Sequence, residues 1–205
     1  MTSVLIVDDH STVRFTVRVL LEREHYTIVG EAHDGETAAQ MAKELRPDVV
    51  VLDIGLPRID GLNVLKRLQL LDHKPRVMVL TGQPPNLYAR RCLDAGASAF
   101  IRKDEELEAL LSAFKAMIKG YSIFPDLPTQ LGSLLSEQER LDKLSDQEVA
   151  VLRLLADGLS NNDIADSMHL SAKTVSTYKT RIMEKLESGS FVETLDLWRR
   201  YLRQS

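Results

Sequence analysis

The chain has a single cysteine, Cys92, so no disulfide can form within it. With no second thiol to pair with, that residue is expected to be core packing in a reducing compartment. No apolar run approaches the ~20 residues that a membrane helix needs. The opening Met1-Thr2-Ser3-Val4-Leu5 passes straight into a strand-like run and does not read as a signal peptide, so no membrane span and no leader are expected. Positive charge is not in excess: the formal net charge is −4, and any claim on nucleic acid must rest on a local patch. The Gly-x-x-x-x-Gly-Lys-Ser/Thr run of a P-loop nucleotidase is missing, which argues against that class. What is present is an ordinary globular composition, 205 residues with 44% hydrophobic and 27% charged, enough for one large domain or two small ones.

The first part alternates strand and helix. Val4 to Val7, Thr27 to Val29, Val49 to Leu52, Val77 to Leu80 and Ala99 to Ile101 are short apolar, β-branched runs without helical gaps. Between them lie segments with apolar residues at helical spacing. One is capped by Ser11, one by Asp34, one runs from Gly61 to Leu71, and one from Leu87 to Ala95 closes on Gly96. A fifth helix, Glu105 to Lys119, is acidic at its start and basic at its end, as the helix dipole prefers. Five βα units predict a doubly wound parallel sheet, and in a flavodoxin-like order 2-1-3-4-5 all strand ends face one crevice.

The strand ends are therefore the place to look. Strand one ends at Asp8-Asp9, strand three at Asp53, strand four at Thr81 and strand five at Lys103. Taken singly, Asp53 reads equally well as a turn cap, Asp8-Asp9 as a helix N-cap pair and Lys103 as a solvated side chain. Four matching strand ends make coincidence improbable. Three crowded carboxylates repel unless a cation neutralises them, and a hard-oxygen cluster suits Mg²⁺. A lysine and a hydroxyl opposite could grip phosphoryl oxygens, and a carboxylate can itself accept a phosphoryl group.

These residues, with the loop Leu56-Pro57-Arg58-Ile59-Asp60-Gly61, resemble the receiver domain of bacterial two-component response regulators over residues 1–120. The resemblance implies that Asp53 is the phospho-acceptor. It also implies that Asp9, Asp53 and the main-chain carbonyl of Gly55 hold Mg²⁺, with Asp8 on a metal-bound water. Thr81 and Lys103 would contact the phosphoryl oxygens. Phe100 stands where the family has its switch aromatic, coupled to Thr81; from the residues alone it would read as core. Asp104 stands where many receivers have proline, which puts the cis peptide often found there in question. Gly55 at the carbonyl position matters little, because that ligand is backbone.

Residues 121–143 lose periodicity, with Pro125, Pro128 and Gly132, and read as a linker that packs partly against a domain. The capping-box pattern Ser136-Glu137-Gln138-Glu139 predicts a short helix through Leu141. Residues 144–205 are helical only. A second capping box at Ser145 to Glu148 starts one helix, Ser160 caps a short one, Ser171 caps a helix from Ala172 to Leu186, and a last one runs from about Phe191 to Leu202. Two helices joined by the tight turn His169-Leu170-Ser171 are a helix-turn-helix arrangement, although a helical protein-interaction module has the same count. On a helical wheel Val175, Tyr178, Ile182 and Leu186 face inward. Lys173, Thr177, Thr180 and Glu184 face outward with Ser176 flanking them, and Lys179, Arg181 and Lys185 lie along the sides. Residues 145–205 hold eight Lys and Arg against nine Asp and Glu, but residues 173–185 hold four against one. Hydroxyls among cations suit a groove, where hydroxyls reach base edges and cations hold phosphates.

The run Gly158-Leu159-Ser160-Asn161 through Lys173-Thr174-Val175 resembles the four-helix DNA-binding domain of NarL/LuxR (FixJ) regulators. The similarity is strongest to the BvgA/EvgA-type branch, and extends in the receiver to Leu80-Thr81-Gly82-Gln83-Pro84-Pro85 and Arg90-Arg91-Cys92-Leu93. It implies a bacterial, cytoplasmic response-regulator transcription factor and not an enzyme beyond its own phosphoryl transfer and dephosphorylation. Its expected partners are a sensor histidine kinase or phosphotransfer domain, double-stranded DNA, RNA polymerase, and a second copy when phosphorylated. A regulator acting mainly as a heterodimer is the remaining alternative. An aspartyl-phosphate phosphatase would want a second aspartate where Gly55 stands.

Overall fold

A computed structural model describes residues 1–56, 61–125 and 140–203 and divides into two units, Met1–Leu127 and Pro128–Ser205. The first contains β1 (Ser3–Val7), α1 (Ser11–Arg23), β2 (Thr27–Ala32), α2 (Gly35–Leu45), β3 (Val49–Leu52), α3 (Gly61–Gln69), β4 (Arg76–Thr81), α4 (Pro85–Asp94), β5 (Ala99–Arg102) and α5 (Leu107–Ile118). All strand pairs are parallel and the order is β2-β1-β3-β4-β5, the arrangement expected from the alternating pattern.

Parallel strands covered on both faces must be apolar throughout, which is why β3 reads Val-Val-Val-Leu and is buried at every residue. Val4, Ile6, Val49, Val51, Met78, Leu80, Ala99 and Ile101 point to one face. There they pack on Val17 and Leu21 of α1 and Leu110, Phe114 and Met117 of α5. Tyr26 meets the Phe114 ring edge-on at 4.9 Å. The alternate residues, Leu5, Val7, Val50, Leu52, Val77, Val79 and Phe100, are buried on the other face, where α2 and α4 contact the sheet. Cys92 on α4 is fully buried.

Several element ends differ from the sequence reading. Ser11 is the first helical residue of α1; its N-cap is His10, which makes no side-chain capping bond. β2 runs on to Ala32 because it pairs with β1 as far as Val7. α4 begins at Pro85, a residue pre-set for the first helical position. α5 begins at Leu107, since the Glu105 carboxylate turns back to accept from the Arg102 N–H. Gly96, at φ 93°, ends α4 with its N–H on the Leu93 carbonyl and that of Ala97 on Cys92, a reversal that favours glycine. The receiver-like loop 57–60 and the Ser136–Glu139 capping box lie outside the described residues. At the described ends of the expected linker, Ile123 bonds back to β5 and Leu141 is buried in the second unit.

The second unit contains α6 (Asp146–Ala156), α7 (Asn161–Met168), α8 (Ala172–Lys185) and α9 (Phe191–Arg203). Ser145, Ser160 and Ser171 each accept a bond from the backbone N–H three residues on, and the first two complete capping boxes. Val149, Leu152, Ile164, Val175, Ile182, Leu186, Leu197 and Trp198 form the core. His169 takes a left-handed conformation, φ 54°, which turns the chain sharply from α7 into α8.

Candidate functional site

The sheet brings Asp8, Asp53, Thr81 and Lys103 together at its carboxyl end, because Thr81 ends β4 and the other three each directly follow a neighbouring parallel strand. The Asp53 N–H donates to the Val7 carbonyl at 2.8 Å and the Lys103 N–H to the Thr81 carbonyl at 2.9 Å, which fixes the strand ends in register. Asp53 is only 4% exposed. Its Oδ1 accepts from the Thr81 hydroxyl at 2.7 Å and from the Gly55 N–H at 2.8 Å. Its Oδ2 accepts from the Lys103 ammonium at 2.7 Å, and the same ammonium lies 2.7 Å from Asp8 Oδ2.

Electrostatics follow from this burial. Burial pushes the Asp8 carboxyl above its ordinary value; the bonds from Lys103 and the His10 N–H pull the other way without cancelling it, and the Asp53 charge adds to the rise. For Lys103, burial alone would lower the pKa, but the bonds to Asp53 and Asp8 and their charges more than offset it, so the net shift is upward. Asp8, Asp9, His10 and Asp53 each present a ligand atom within 4.8 Å of the others. Three carboxylates face one ammonium, which leaves a formal deficit of two positive charges, and most of the donors are hard oxygen. That set fits a divalent cation. Gly55 is brought against Asp53, and a Cβ there would stand 3.3 Å from Asp53 Oδ1 and 3.1 Å from Gln83 Nε2, so glycine keeps this approach open.

Thr81 is fully buried. Phe100 is buried too, on the sheet face away from α1 and α5, and its N–H bonds to the Ile123 carbonyl at 2.8 Å. The peptide between Lys103 and Asp104 is trans. The strand-end comparison does not single out His10; the contiguous Asp-Asp-His run is the signal in the sequence that could have found it.

In the second unit Lys173, Ser176, Thr177, Thr180 and Arg181 are exposed along α8. Ser171, Lys173, Thr174, Thr177, Tyr178 and Arg181 line a shallow concavity of about 280 Å³. The hydroxyls of Ser176, Thr177 and Thr180 donate to carbonyls four residues back, and the Ser176 oxygen also accepts from the Asn161 side-chain amide at 3.1 Å. Two of the lysines expected to serve phosphates also have partners within the unit. Lys179 places its ammonium 3.8 Å from the centre of the Phe191 ring. Lys185 lies 2.7 Å from Glu148 Oε2, itself the capping-box carboxylate of α6. Tyr178, expected inside, is half-buried because its hydroxyl reaches Gln147. Glu148 is 3% exposed. Burial alone would raise its pKa, but the Lys185 and Ser145 bonds win and hold it below the usual value. The capping pattern marked Glu148 in the sequence; its tie to α8 was not visible there.

Comparison with known proteins places both halves. Residues 4–115 match the family model described as the response regulator receiver domain, and residues 142–197 match that of the bacterial regulatory proteins of the luxR family. The chain is 50% identical over 203 residues to the transcription regulator BvgA of Bordetella pertussis, with 96% of each chain covered. It is 39% identical over 190 residues to the DNA-binding transcriptional activator EvgA of Escherichia coli, covering 92% of this chain and 93% of EvgA. Among solved structures, RcsB of Salmonella typhimurium aligns with a TM-score of 0.73 at 27% identity over 99% of this chain and 97% of that one. RcsB bound to the rprA promoter in the presence of the phosphomimetic BeF₃⁻ aligns with a TM-score of 0.68 at 28% identity, over 96% and 98% of the two chains. No described helix is long and apolar enough to cross a membrane. With the strand-end pocket in one unit and the helix-turn-helix in the other, the chain belongs to the NarL/LuxR-type response regulators, transcription factors that join a receiver domain to a LuxR-type DNA-binding domain.

Proposed function

We propose that Asp53 is the phosphoryl acceptor of this regulator, and that its modification controls sequence-specific DNA binding by α8. The observation that carries this is the convergence of Thr81, the Gly55 N–H and Lys103 on a single buried carboxylate. A carboxylate oxygen of Asp53 attacks the phosphorus of a phosphohistidine on a sensor kinase or phosphotransfer domain. The P–N bond breaks as the P–O bond forms, and the leaving imidazole takes up a proton. Lys103 and Thr81 hold the oxygens of the transferred group, and burial excludes competing water. Asp9, Asp53 and the Gly55 carbonyl would hold Mg²⁺, with Asp8 supporting it; the cation supplies charge neutralisation for the incoming phosphoryl group.

Once Thr81 leaves Asp53 for a phosphoryl oxygen, the space beside it changes and Phe100 repacks. That shifts the receiver toward a state that pairs with a second copy. On DNA, Lys173, Ser176, Thr177 and Thr180 face base edges, while Arg181, Lys179 and Lys185 serve phosphates. RNA polymerase is the downstream partner, and the cytoplasm the compartment. The test is transfer of labelled phosphate from a phosphohistidine donor. Asp53→Asn should carry no label, and label at the wild-type level would overturn the assignment.

A further inference from the structure

Among the described residues, the cluster of carboxylates at the sheet edge is not purely acidic, because His10 stands in it. His10 occupies the N-cap of α1, yet its ring makes no capping bond. The ring turns to the carboxylates instead: Nδ1 lies 2.8 Å from Asp9 Oδ1 and 3.3 Å from Asp8 Oδ1. The His10 backbone N–H donates to Asp8 Oδ1 at 2.8 Å, which holds the ring at this edge. The side chain is 65% exposed, so it can shift by a rotamer without disturbing the core. In one tautomer Nδ1 donates to Asp9; in the other the same nitrogen offers a lone pair to whatever Asp9 binds.

We infer that His10 is a nitrogen donor of the divalent-cation site and biases it toward first-row transition ions such as Mn²⁺ over Mg²⁺. This rests on the proposed reading of the Asp8, Asp9 and Asp53 pocket as a cation site. Mg²⁺ asks for oxygen ligands and gives up its waters reluctantly, so an imidazole adds little for it. Transition ions accept imidazole, with affinity rising along the series from Mn²⁺. A site with carboxylates and one imidazole therefore discriminates more strongly than an all-oxygen one.

The experiment titrates the full-length, untagged protein with Mn²⁺ alone, followed by loss of the free-ion EPR signal, and with Mg²⁺ by competition against bound Mn²⁺. The bound Mn²⁺ is then examined by pulsed EPR for coupling to ¹⁴N. The wild type should show ¹⁴N coupling. His10→Ala should lose that coupling and about tenfold in Mn²⁺ affinity, the low end of what loss of a metal-site partner costs, while Mg²⁺ affinity changes by less than about twofold. Wild-type Mn²⁺ without ¹⁴N coupling, or an unchanged Mn²⁺ to Mg²⁺ ratio in His10→Ala, overturns the inference. Asp9→Asn separates the two levels of the argument. If it still binds Mn²⁺ like the wild type, the pocket reading fails and takes this one with it. If it loses Mn²⁺ while His10→Ala behaves as the wild type, only the role of His10 falls.

Discussion

Lys103→Met is the most informative single change in the receiver. It keeps the length of the side chain and removes the ammonium that lies 2.7 Å from both Asp8 and Asp53. Two carboxylates exposed by only 3% and 4% are then left facing each other without a counter-charge. Removing one partner of a buried pair costs about 3–5 kcal/mol. Because Lys103 is itself 18% exposed and partly screened, the low end, about 3 kcal/mol, applies. For a domain of this size that lowers the melting temperature by roughly 10 °C. The loss should depend on pH in a definite direction. In the wild type the raised pKa of Lys103 means its contribution is fully present below the ordinary lysine value of 10.5 and disappears only as pH climbs through the folded value. In the variant the buried Asp8 carboxyl, already raised in the wild type, loses a neighbouring positive charge and binds its proton more tightly in the native state than in the unfolded chain. Lowering pH from neutrality toward the ordinary value of 3.8 should therefore narrow the gap between variant and wild type. A divalent cation takes the place of the lost charge, so at one fixed Mg²⁺ concentration, a hundred times the variant's Kd, the variant should gain about 2.7 kcal/mol and the wild type, whose ammonium competes with the cation, less. Calorimetric melts of the full chain with and without Mg²⁺, at several pH values, make the comparison. If the variant melts with the wild type in the absence of cation, or if Mg²⁺ raises both by the same amount, the ammonium is not acting as a counter-ion and the reasoning fails.

The remaining tests address other parts of the molecule. In Gly61→Ala the new Cβ would meet backbone atoms of Ile54 at 2.3–2.8 Å, so the segment behind Asp53 must move; urea titration should show a loss of about 2–3 kcal/mol and phosphorylation should slow. Glu148→Gln should cost the second unit about 1–2 kcal/mol, through the weakened capping box and the lost pair with Lys185. The depressed pKa of Glu148 also makes its stabilisation present above the ordinary value of 4.5 and lost as pH falls through the folded one, so the variant should lack that step in acid titrations followed by Trp198 fluorescence. On cognate and scrambled duplexes across salt concentrations, Lys179→Ala should weaken binding equally and flatten the salt slope by about one unit. Thr177→Ala should lose about 1–3 kcal/mol on the cognate site only, and equal weakening on both duplexes would move Thr177 to the phosphate contacts.

Much of this was legible because hydrophobic period and chain breaks are local properties. Val49 to Leu52 announces a strand buried on both faces, and Asp53 is read as a site because parallel strands end in the crevice. Serine caps at 145, 160 and 171 mark helix starts by the same local logic. What could not be read was anything decided by side chains meeting across elements. The wheel gives the direction of Lys185 and not its partners, so its 2.7 Å pair with Glu148 of α6 could not be placed from sequence. Lys179 likewise was expected on a flank, and the ring of Phe191, twelve residues on, cannot be placed from sequence. Ser11 was mistaken for a cap because nothing in its neighbourhood says that the chain turns helical one residue earlier.

The arrangement of the sheet also bears on how the molecule comes to be competent. Asp8, Asp53, Thr81 and Lys103 each stand at the end of a different strand, and β1 must find both β2 and β3 across intervening helices. Contacts of that sequence separation form late, after the loop-closure entropy has been overcome. A chain in which β5 has not yet docked on β4 has a carboxylate but no ammonium beside it. On the proposed roles of Asp53 and Lys103, signal acceptance would double as a check on completed folding, and a truncated or partly unfolded regulator would stay silent with no separate device to keep it so.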